Sequence, residues 1–301
     1  MSYTAAEFTE KYDTYFICTS IIAAVLTPVA VVGNALVLTA ILRNPPTNIL
    51  LATMAFTDFG TGIITQPFYV VLNFRTEKDD FKLIDMTTWP RIYSMLKQMV
   101  DGLGNYLVIL TVLTITTMSI ERWLHMSYRS LDTVRRAYIA VVLLLPLPIP
   151  LAVCRALYPF NIAVNVASAF FLLFCLLITS VAYLKVFRII RAHQQQIHSS
   201  ELAQNAARPA IHMAKYRKSV FTILYIVAIF IICFLPMAIF SSVLMPVLLY
   251  KKEMVTLYNA SVIWLFISSS LNPSHYLWRM TCTYPKVVRL LRAMSCKPKE
   301  Y

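Results

Sequence analysis

Long apolar runs alternate with short polar segments along this chain. About 20 predominantly apolar residues are enough for an α-helix to cross the hydrocarbon core of a bilayer. Most of these runs reach or exceed that length, and none of the 26 residues that follow Phe16 is charged. The pattern predicts seven spans: Ile17–Leu42, Ile49–Phe74, Met99–Ile120, Tyr138–Val153, Ala156–Leu184, Ser219–Tyr250 and Met254–Trp278.

Two of the predicted spans contain more than one proline. The fourth contains Pro146, Pro148 and Pro150, and each proline removes a donor from the helical hydrogen-bond ladder. We therefore expect the second half of this span to be kinked or to end early. The sixth span contains Pro236 and Pro246 and is too long for one straight crossing.

A basic and apolar segment follows the seventh span. Within residues 281–295, apolar positions alternate with basic ones, as expected of an amphipathic helix that lies on a membrane surface. The sequence predicts an all-α membrane protein, a seven-transmembrane helix bundle with a short amphipathic eighth helix. The expected division is an extracellular segment 1–16, a membrane domain 17–278 and a cytoplasmic amphipathic helix and tail 279–301. Because segment 1–16 lacks the features of a cleavable signal peptide, we expect the first span to act as the insertion signal.

Composition and charge support a membrane location. The chain has 301 residues, of which 58% are hydrophobic and 14% charged, whereas soluble domains carry about 25% charged residues. The net charge of +13 could indicate nucleic-acid binding, but its distribution does not. With the N-terminus outside, the inner side carries 18 Lys and Arg against 4 acids, and the outer side 9 against 8. This asymmetry follows the positive-inside rule, so the basic excess is expected to face the cytosol and anionic lipid.

Polar residues inside the predicted spans are candidates for function. A charge at the bilayer centre costs about 2.5–3.5 kcal/mol on insertion scales, so Asp58 needs polar partners. Four residues of other spans are candidate partners: Asn34, Thr111, Ser268 and Asn272. A polar packing contact without further function is the alternative explanation. Glu121 and Arg122, at the end of the third span, are either boundary anchors or a functional pair.

Five motifs, in order and each in the expected span, resemble those of rhodopsin-like (class A) G-protein-coupled receptors. They are Gly33-Asn34 with Leu36-Val37, Asp58, Glu121-Arg122-Trp123, Phe230-x-x-Cys233-Phe234-x-Pro236, and Asn272-Pro273-Ser274-His275-Tyr276. The resemblance implies a plasma-membrane receptor with an extracellular N-terminus and no enzymatic activity. Such a receptor binds an extracellular small-molecule, lipid or peptide ligand and activates a cytoplasmic heterotrimeric G protein by outward movement of the sixth helix.

The resemblance also assigns roles to individual residues. Activation and coupling would involve Glu121, Arg122, Tyr183, Tyr276, Asn272, Pro273, Phe230, Phe234 and Pro236. An allosteric sodium ion would be held by Asp58, Thr111, Ser268 and Asn272. Tyr183 could equally be an interface anchor. Cys296, next to a basic amphipathic segment, is a candidate for lipidation, with Cys282 as the alternative.

Several family features are missing from this chain. The position of the usual disulfide at the third helix is Lys97, and none of the six cysteines is placed for that bridge. The second outer loop is very short, the fifth span lacks its usual proline, and the fourth lacks its usual Trp. Together these departures resemble the melanocortin, cannabinoid, lysophospholipid and adenosine receptor group. Phe234 stands where Trp is common, and the segment from Lys215 to Lys218 offers Arg122 no acid, so raised basal activity is expected.

The sequence mainly indicates which classes of ligand are not expected. Gly104 stands where amine receptors carry Asp, and Phe266 where retinal-binding receptors carry Lys, so neither ligand type is expected. Candidate pocket residues are Gln66, Asp101, Asn105, Met237, Ser241 and Phe266. Asp101 and Asn105, four positions apart, share one face of a helix. Two roles stay open for Asp101: pairing with a cationic ligand group, and a structural role near the interface.

Two other classes of protein would also contain such residues. A secondary transporter could use Asp58 in an ion pathway, although the chain has no internal repeat and an odd number of spans. An intramembrane hydrolase would need two facing carboxylates, whereas Asp58 and Asp101 are expected at different depths.

Overall fold

The computed structural model describes residues 5–42, 49–76, 89–127, 133–158, 161–201, 228, 231–237, 239–240 and 252–279. Nearly all of these residues are helical, and they include no β-strand. The helices are α1 (Ala5–Leu42), α2 (Ile49–Gly60), α3 (Gln66–Thr76), α4 (Trp89–Ser127), α5 (Thr133–Leu144), α6 (Ile149–Leu157), α7 (Ile162–Glu201) and α8 (Lys252–Arg279). A π-helical turn, Thr61–Thr65, joins α2 to α3.

Five stretches of the described residues are long and apolar enough to cross a membrane. They are Thr14–Ile41, Ile49–Leu72, Ser94–Ser127, Arg135–Leu157 and Ile162–Ala192. Such a set is consistent with a multi-pass membrane protein. The described part of α8, at the predicted seventh span, is not among them. The predicted sixth span lies largely outside the described residues, so a bundle of seven crossings stays a prediction.

Most helices extend beyond the predicted spans, and two of the differences are informative. α1 begins at Ala5, so most of the predicted segment 1–16 is helical. α7, at the predicted fifth span, begins at Ile162. The predicted start at Ala156 is wrong because residues 155–157 belong to α6. The Asn161 side-chain oxygen accepts hydrogen bonds from the backbone N–H groups of Ala163 at 2.9 Å and Val164 at 3.4 Å. These bonds cap α7 and fix its start.

The predicted kink in the fourth span is confirmed. The span is divided into α5 and α6 by a turn over residues 145–148. The Ile149 N–H donates to the Pro146 carbonyl at 3.2 Å, three residues back, so it is not available to the Leu145 carbonyl. The Tyr106 hydroxyl of α4 donates to that carbonyl instead, at 3.1 Å. A side chain of a neighbouring helix thus satisfies a backbone acceptor at the proline break.

Each packed helix buries one side and leaves an apolar side exposed. α1 packs against α8, and α4 packs against both α6 and α7. The buried positions of α7 recur every three or four residues: Ala169, Leu172, Cys175, Leu176, Thr179, Ala182, Tyr183, Val186 and Ile190. Large apolar side chains such as Val25, Val142 and Phe170 point away from the core and are more than 60% exposed. This surface suits contact with lipid tails.

Glycines lie where helices approach most closely. The chain has five, and each lies in a helical segment at a contact with another helix. A Cβ atom on Gly33 of α1 would lie 2.7 Å from the Pro273 Cβ of α8. A Cβ atom on Gly102 of α4 would lie 2.7 Å from the Ala156 Cβ of α6. Small residues at such contacts let helix backbones pack closely, which is a main source of helix association in lipid.

Candidate functional site

The Asp58 carboxylate is hydrogen-bonded to the predicted seventh span. Asp58 lies near the end of α2 and is 1% exposed. The Asn272 side-chain amide donates to Asp58 Oδ2 at 2.7 Å, although the two residues are 214 positions apart in the chain. The side chain of Ser269 is a second hydrogen-bonding neighbour of the carboxylate. Of the four candidate partners, Asn272 is therefore bonded to Asp58, and Ser269 is a partner that the sequence did not single out.

Asn34 is linked to Asp58 through Ser269. The fully buried Asn34 amide donates to the Ala30 carbonyl at 2.9 Å and to the Ser269 carbonyl at 3.2 Å. The same Ser269 offers its side chain to Asp58. Three motif-bearing helices, α1, α2 and α8, thus meet in one polar group, which we call the Asp58 cluster: Asn34, Asp58, Ser269 and Asn272.

The other predicted partners of Asp58 make different bonds. The Thr111 hydroxyl of α4 donates to the hydroxyl of Thr57 at 2.9 Å. The Ser268 side chain hydrogen-bonds to Cys233. Asn272 presents its N–H donors to Asp58, whereas a cation needs oxygen ligands. The sodium site stays a prediction on which nothing below depends.

Charged side chains meet around Glu121 at the end of α4, which we call the Arg122 end of the bundle. The partly buried Glu121 carboxylate interacts electrostatically with Arg136 of α5, and also with Arg122 and His125. The sequence predicted Arg122 as its partner but gave no sign of Arg136, which lies on a separate helix. Glu121 therefore shares its charge among several cations.

α7 is joined to the Arg122 end by an aromatic contact. The ammonium group of Lys185 lies 4.0 Å from the centroid of the Trp123 ring, which is a cation–π distance. Two turns away, the hydroxyls of Thr116 and Thr179 are hydrogen-bonded at 3.1 Å. Tyr183 lies between these contacts along α7 and is 7% exposed, so it is a buried bundle residue rather than an exposed interface anchor.

The structure describes only some of the other residues with a predicted role. Phe234 is 4% exposed and belongs to the main apolar core, against which Met237 packs. Pro236 lies in the helical segment 231–237, and Pro273 lies against Gly33. Phe230, Ser241, Cys282 and Cys296 lie outside the described residues, as does the side chain of Tyr276. The cysteines at 18, 154, 175 and 233 carry free thiols.

A second polar group lies at the opposite end of α4, the Asp101 end. The Asp101 carboxylate interacts electrostatically with Lys97, one turn away, and with Arg155 of α6. Arg155 also hydrogen-bonds to the Tyr258 side chain of α8. With Asn105, one turn further along α4, these residues form the Asp101 cluster: Lys97, Asp101, Asn105, Arg155 and Tyr258. The sequence singled out Asp101 and Asn105 but not Arg155 or Tyr258.

Several buried polar atoms near this cluster have no hydrogen-bond partner in the part of the chain that the structure describes. They include Asn105 Nδ2, Thr65 Oγ1 and both side-chain polar atoms of Gln66, which is fully buried. Thr65 lies against α4, since a Cβ atom on Gly104 would be 3.3 Å from its methyl group. Most buried polar groups are paired, so a group of unpartnered atoms indicates a place for water or a ligand.

Phe266 has packing contacts that account for its burial. Its ring lies edge-on to the Tyr69 ring with centroids 5.3 Å apart, in an apolar cluster with Ala23 and Ile263. The Tyr69 hydroxyl donates to the Asn259 side-chain oxygen at 3.2 Å. Asn259 belongs to a glycosylation pattern, but it is buried within α8. The predicted role of Phe266 in ligand binding gains no support from these contacts.

A scan of protein-family models and a search of curated proteins return no match for this chain.

Proposed function

We propose that this chain is a rhodopsin-like G-protein-coupled receptor of the plasma membrane with its N-terminus outside. It binds an extracellular ligand at the Asp101 end and activates a cytoplasmic heterotrimeric G protein at the Arg122 end. Activation moves the inner end of the sixth helix outward. The resemblance of five motifs supports this assignment, together with the positive charge excess on the side of Arg122.

The observation that carries the proposal is the 2.7 Å hydrogen bond between Asp58 and Asn272. Motifs that resemble a family by chance have no reason to lie together in space. Here Asn34, Asp58 and Asn272 come from three separate helices and share one polar cluster through Ser269. The close contact of Gly33 with Pro273 joins two of the same motifs.

The contacts at the Arg122 end suggest how the resting state is held. Glu121 interacts with Arg136 as well as with Arg122, and Lys185 holds α7 against Trp123. A G protein would compete for Arg122, and an agonist favours the competent state only by its differential affinity for the two states. When Arg122 is released, the charge of Glu121 is still compensated by the other cations around it. This favours measurable activity without ligand.

A secondary transporter is the second candidate function. Asp58 is a buried carboxylate, and the π-helical turn that begins three residues later is a feature often found at functional sites. An ion pathway through Asp58 would need the carboxylate itself, whereas a receptor needs the hydrogen-bonding cluster.

Substitution of Asp58 by Asn separates the two functions. The reconstituted chain is assayed for guanine-nucleotide exchange on G proteins of each class, and for ion and solute flux into vesicles. A receptor variant Asp58→Asn retains ligand binding and changes its exchange rate, while a transporter variant loses flux. Thr39→Ala, at an exposed position of α1 that has no part in either polar cluster, is the control. Flux by the wild-type chain that Asp58→Asn abolishes, without nucleotide exchange, contradicts the receptor proposal.

A further inference from the structure

One face of α4 at the Asp101 end carries three polar side chains in line. Lys97, Asp101 and Asn105 follow one another at intervals of four residues, so they lie on one side of the helix. Arg155 of α6 and Tyr258 of α8 are joined to each other and to Asp101 at the same end. Three helices therefore contribute to one polar surface.

The position of Arg155 follows from close helix packing. A Cβ atom on Gly102 of α4 would lie 2.7 Å from the Ala156 Cβ and 3.2 Å from the Ala152 carbonyl oxygen. This contact brings α6 against α4 directly beside Arg155. The hydrogen bond from Arg155 to Tyr258 then directs the guanidinium towards α8. A planar guanidinium with five N–H donors can hold Tyr258 and still bind a further oxygen ligand.

The charges of this cluster favour one sign of ligand. Asp101 is already compensated by Lys97 and Arg155, so a cationic ligand group would have to displace two cations of the chain. An anionic ligand group would not have to displace either of these cations. Within the Asp101 cluster two cations, Lys97 and Arg155, accompany one carboxylate, so the cluster carries a net positive charge.

Neutral donors lie next to these charges. Asn105 Nδ2 and Thr65 Oγ1 are buried, and neither has a hydrogen-bond partner within the described ranges. Thr65 lies against Gly104, the residue before Asn105. A buried donor without a partner is destabilising, and an acceptor on a ligand would recover the lost hydrogen bond.

We propose that the Asp101 cluster binds ligands through an anionic group, a carboxylate or a phosphate. Arg155 and Lys97 hold the anion, and Asn105 donates a hydrogen bond to a neutral oxygen of the same ligand. This inference rests on the proposed receptor function, for which it names the chemical class of the ligand.

The test measures binding to the purified full chain in nanodiscs of neutral lipid, without G protein. The probes are oleate, its neutral analogue oleamide, the cationic oleylamine, succinate and inorganic phosphate. The difference in affinity between oleate and oleamide measures the contribution of the ligand's charge. The difference between oleate and the two soluble anions, succinate and phosphate, distinguishes a lipid ligand from a soluble one. We expect at least one anionic probe to bind, and oleamide to bind at least tenfold more weakly than oleate if the source is lipid.

Three variants locate the anion site. Arg155→Gln is expected to weaken binding of the anionic probe about tenfold, which is about 1.4 kcal/mol. Asp101→Asn is expected to strengthen it severalfold, because the competing carboxylate is removed. Arg188→Gln, an exposed site on α7, removes the same charge elsewhere and should change nothing. A gain in affinity for Asp101→Asn cannot result from misfolding.

The proposal is overturned if no anionic probe binds, if Arg155→Gln binds them as well as the wild type does, or if oleylamine binds and Asp101→Asn abolishes that binding. Nucleotide exchange is measured separately. Anion binding with the predicted variant pattern, but without exchange on any G protein, would leave this site standing and contradict the receptor function.

Discussion

The Asp58 cluster and the Asp101 cluster are both polar groups between apolar helices, but their hydrogen bonding differs. In the Asp58 cluster the carboxylate is bonded to Asn272 and Ser269, and Asn34 Nδ2 donates to two carbonyl groups, which leaves Asn34 Oδ1 without a partner among the described residues. In the Asp101 cluster Asn105 Nδ2 has no partner among those residues, and neither does Thr65 Oγ1 beside it. A paired network stabilises one arrangement of helices, whereas unpaired atoms reduce stability until something binds them.

This difference assigns the two clusters different tasks. The Asp58 cluster joins α1, α2 and α8, and a change in its bonds would change how these helices are held together. The Asp101 cluster is suited to meeting a ligand, because its donors are available. A receptor needs both kinds of site, at different depths along the bundle.

The largest effect is expected where the Asp58 cluster is packed most closely. Gly33→Ala would place a Cβ atom 2.7 Å from that of Pro273, and overpacking of this kind costs about 1–3 kcal/mol. We expect a loss of about 2 kcal/mol in the free energy of unfolding, measured by denaturant titration in detergent. Gly60→Ala is the control, since its Cβ would lie an ordinary 3.4 Å from Leu107. Equal stabilities for the two variants would show that this contact does not hold α1 against α8.

The comparison itself is tested by removing one polar group from each cluster. Asp58→Ala leaves the partly buried Asn272 amide without its acceptor, and we expect a loss of about 1.5 kcal/mol. Asn105→Ala removes a donor that has no partner among the residues described, so stability should be unchanged or slightly higher. Both are measured by the same unfolding titration. A larger loss for Asn105→Ala than for Asp58→Ala would reverse the comparison.

The proline break offers a third case, in which a backbone acceptor is satisfied by a distant side chain. Tyr106→Phe removes the hydroxyl that donates to the Leu145 carbonyl. Interhelical hydrogen bonds in membranes average about 0.6 kcal/mol, and we expect a destabilisation of that size. Tyr138→Phe, at an exposed position of α5, is the control and should have no effect on the unfolding midpoint. No difference between the two would mean that water satisfies this carbonyl equally well.

A similarly small effect on stability is expected at the Arg122 end. Lys185→Gln removes the cation from the Trp123 ring, and exposed cation–π contacts contribute about 0.5–1 kcal/mol. Since α7 is then held less firmly against α4, ligand-free nucleotide exchange should rise. Lys185→Arg, which can keep the contact, should behave like the wild type. Lower exchange in Lys185→Gln would indicate that Lys185 contacts the G protein rather than restraining α7.

Local patterns predicted much of this structure. The apolar runs gave the positions of most helices, and Pro146, Pro148 and Pro150 gave the break in the fourth. The start of α7 was missed although a signal was present, because Asn161 is a favourable helix-capping residue in front of an apolar run. The π-helical turn after α2 was not predictable from periodicity, since one extra residue per turn leaves the apolar pattern almost unchanged.

Contacts between helices were only partly predictable. Because a buried carboxylate needs a partner, the sequence indicated four candidates for Asp58, and only the structure shows that Asn272 is the one bonded to it. Ser269 could not be distinguished from its serine neighbours without the rotation of α8 about its axis. Arg136 and Arg155 looked like ordinary boundary cations, and only the packing of α5 and α6 against α4 brings them to Glu121 and Asp101.

The most direct test of the account is ligand-free guanine-nucleotide exchange on reconstituted heterotrimeric G proteins. The wild-type chain and Arg122→Ala are compared in the same nanodiscs. We expect the wild type to accelerate exchange on at least one G-protein class and Arg122→Ala to reduce that acceleration at least tenfold with unchanged thermal stability. Equal exchange rates for the two, at or above the rate without receptor, would contradict the assignment of Arg122 as the coupling residue of a receptor.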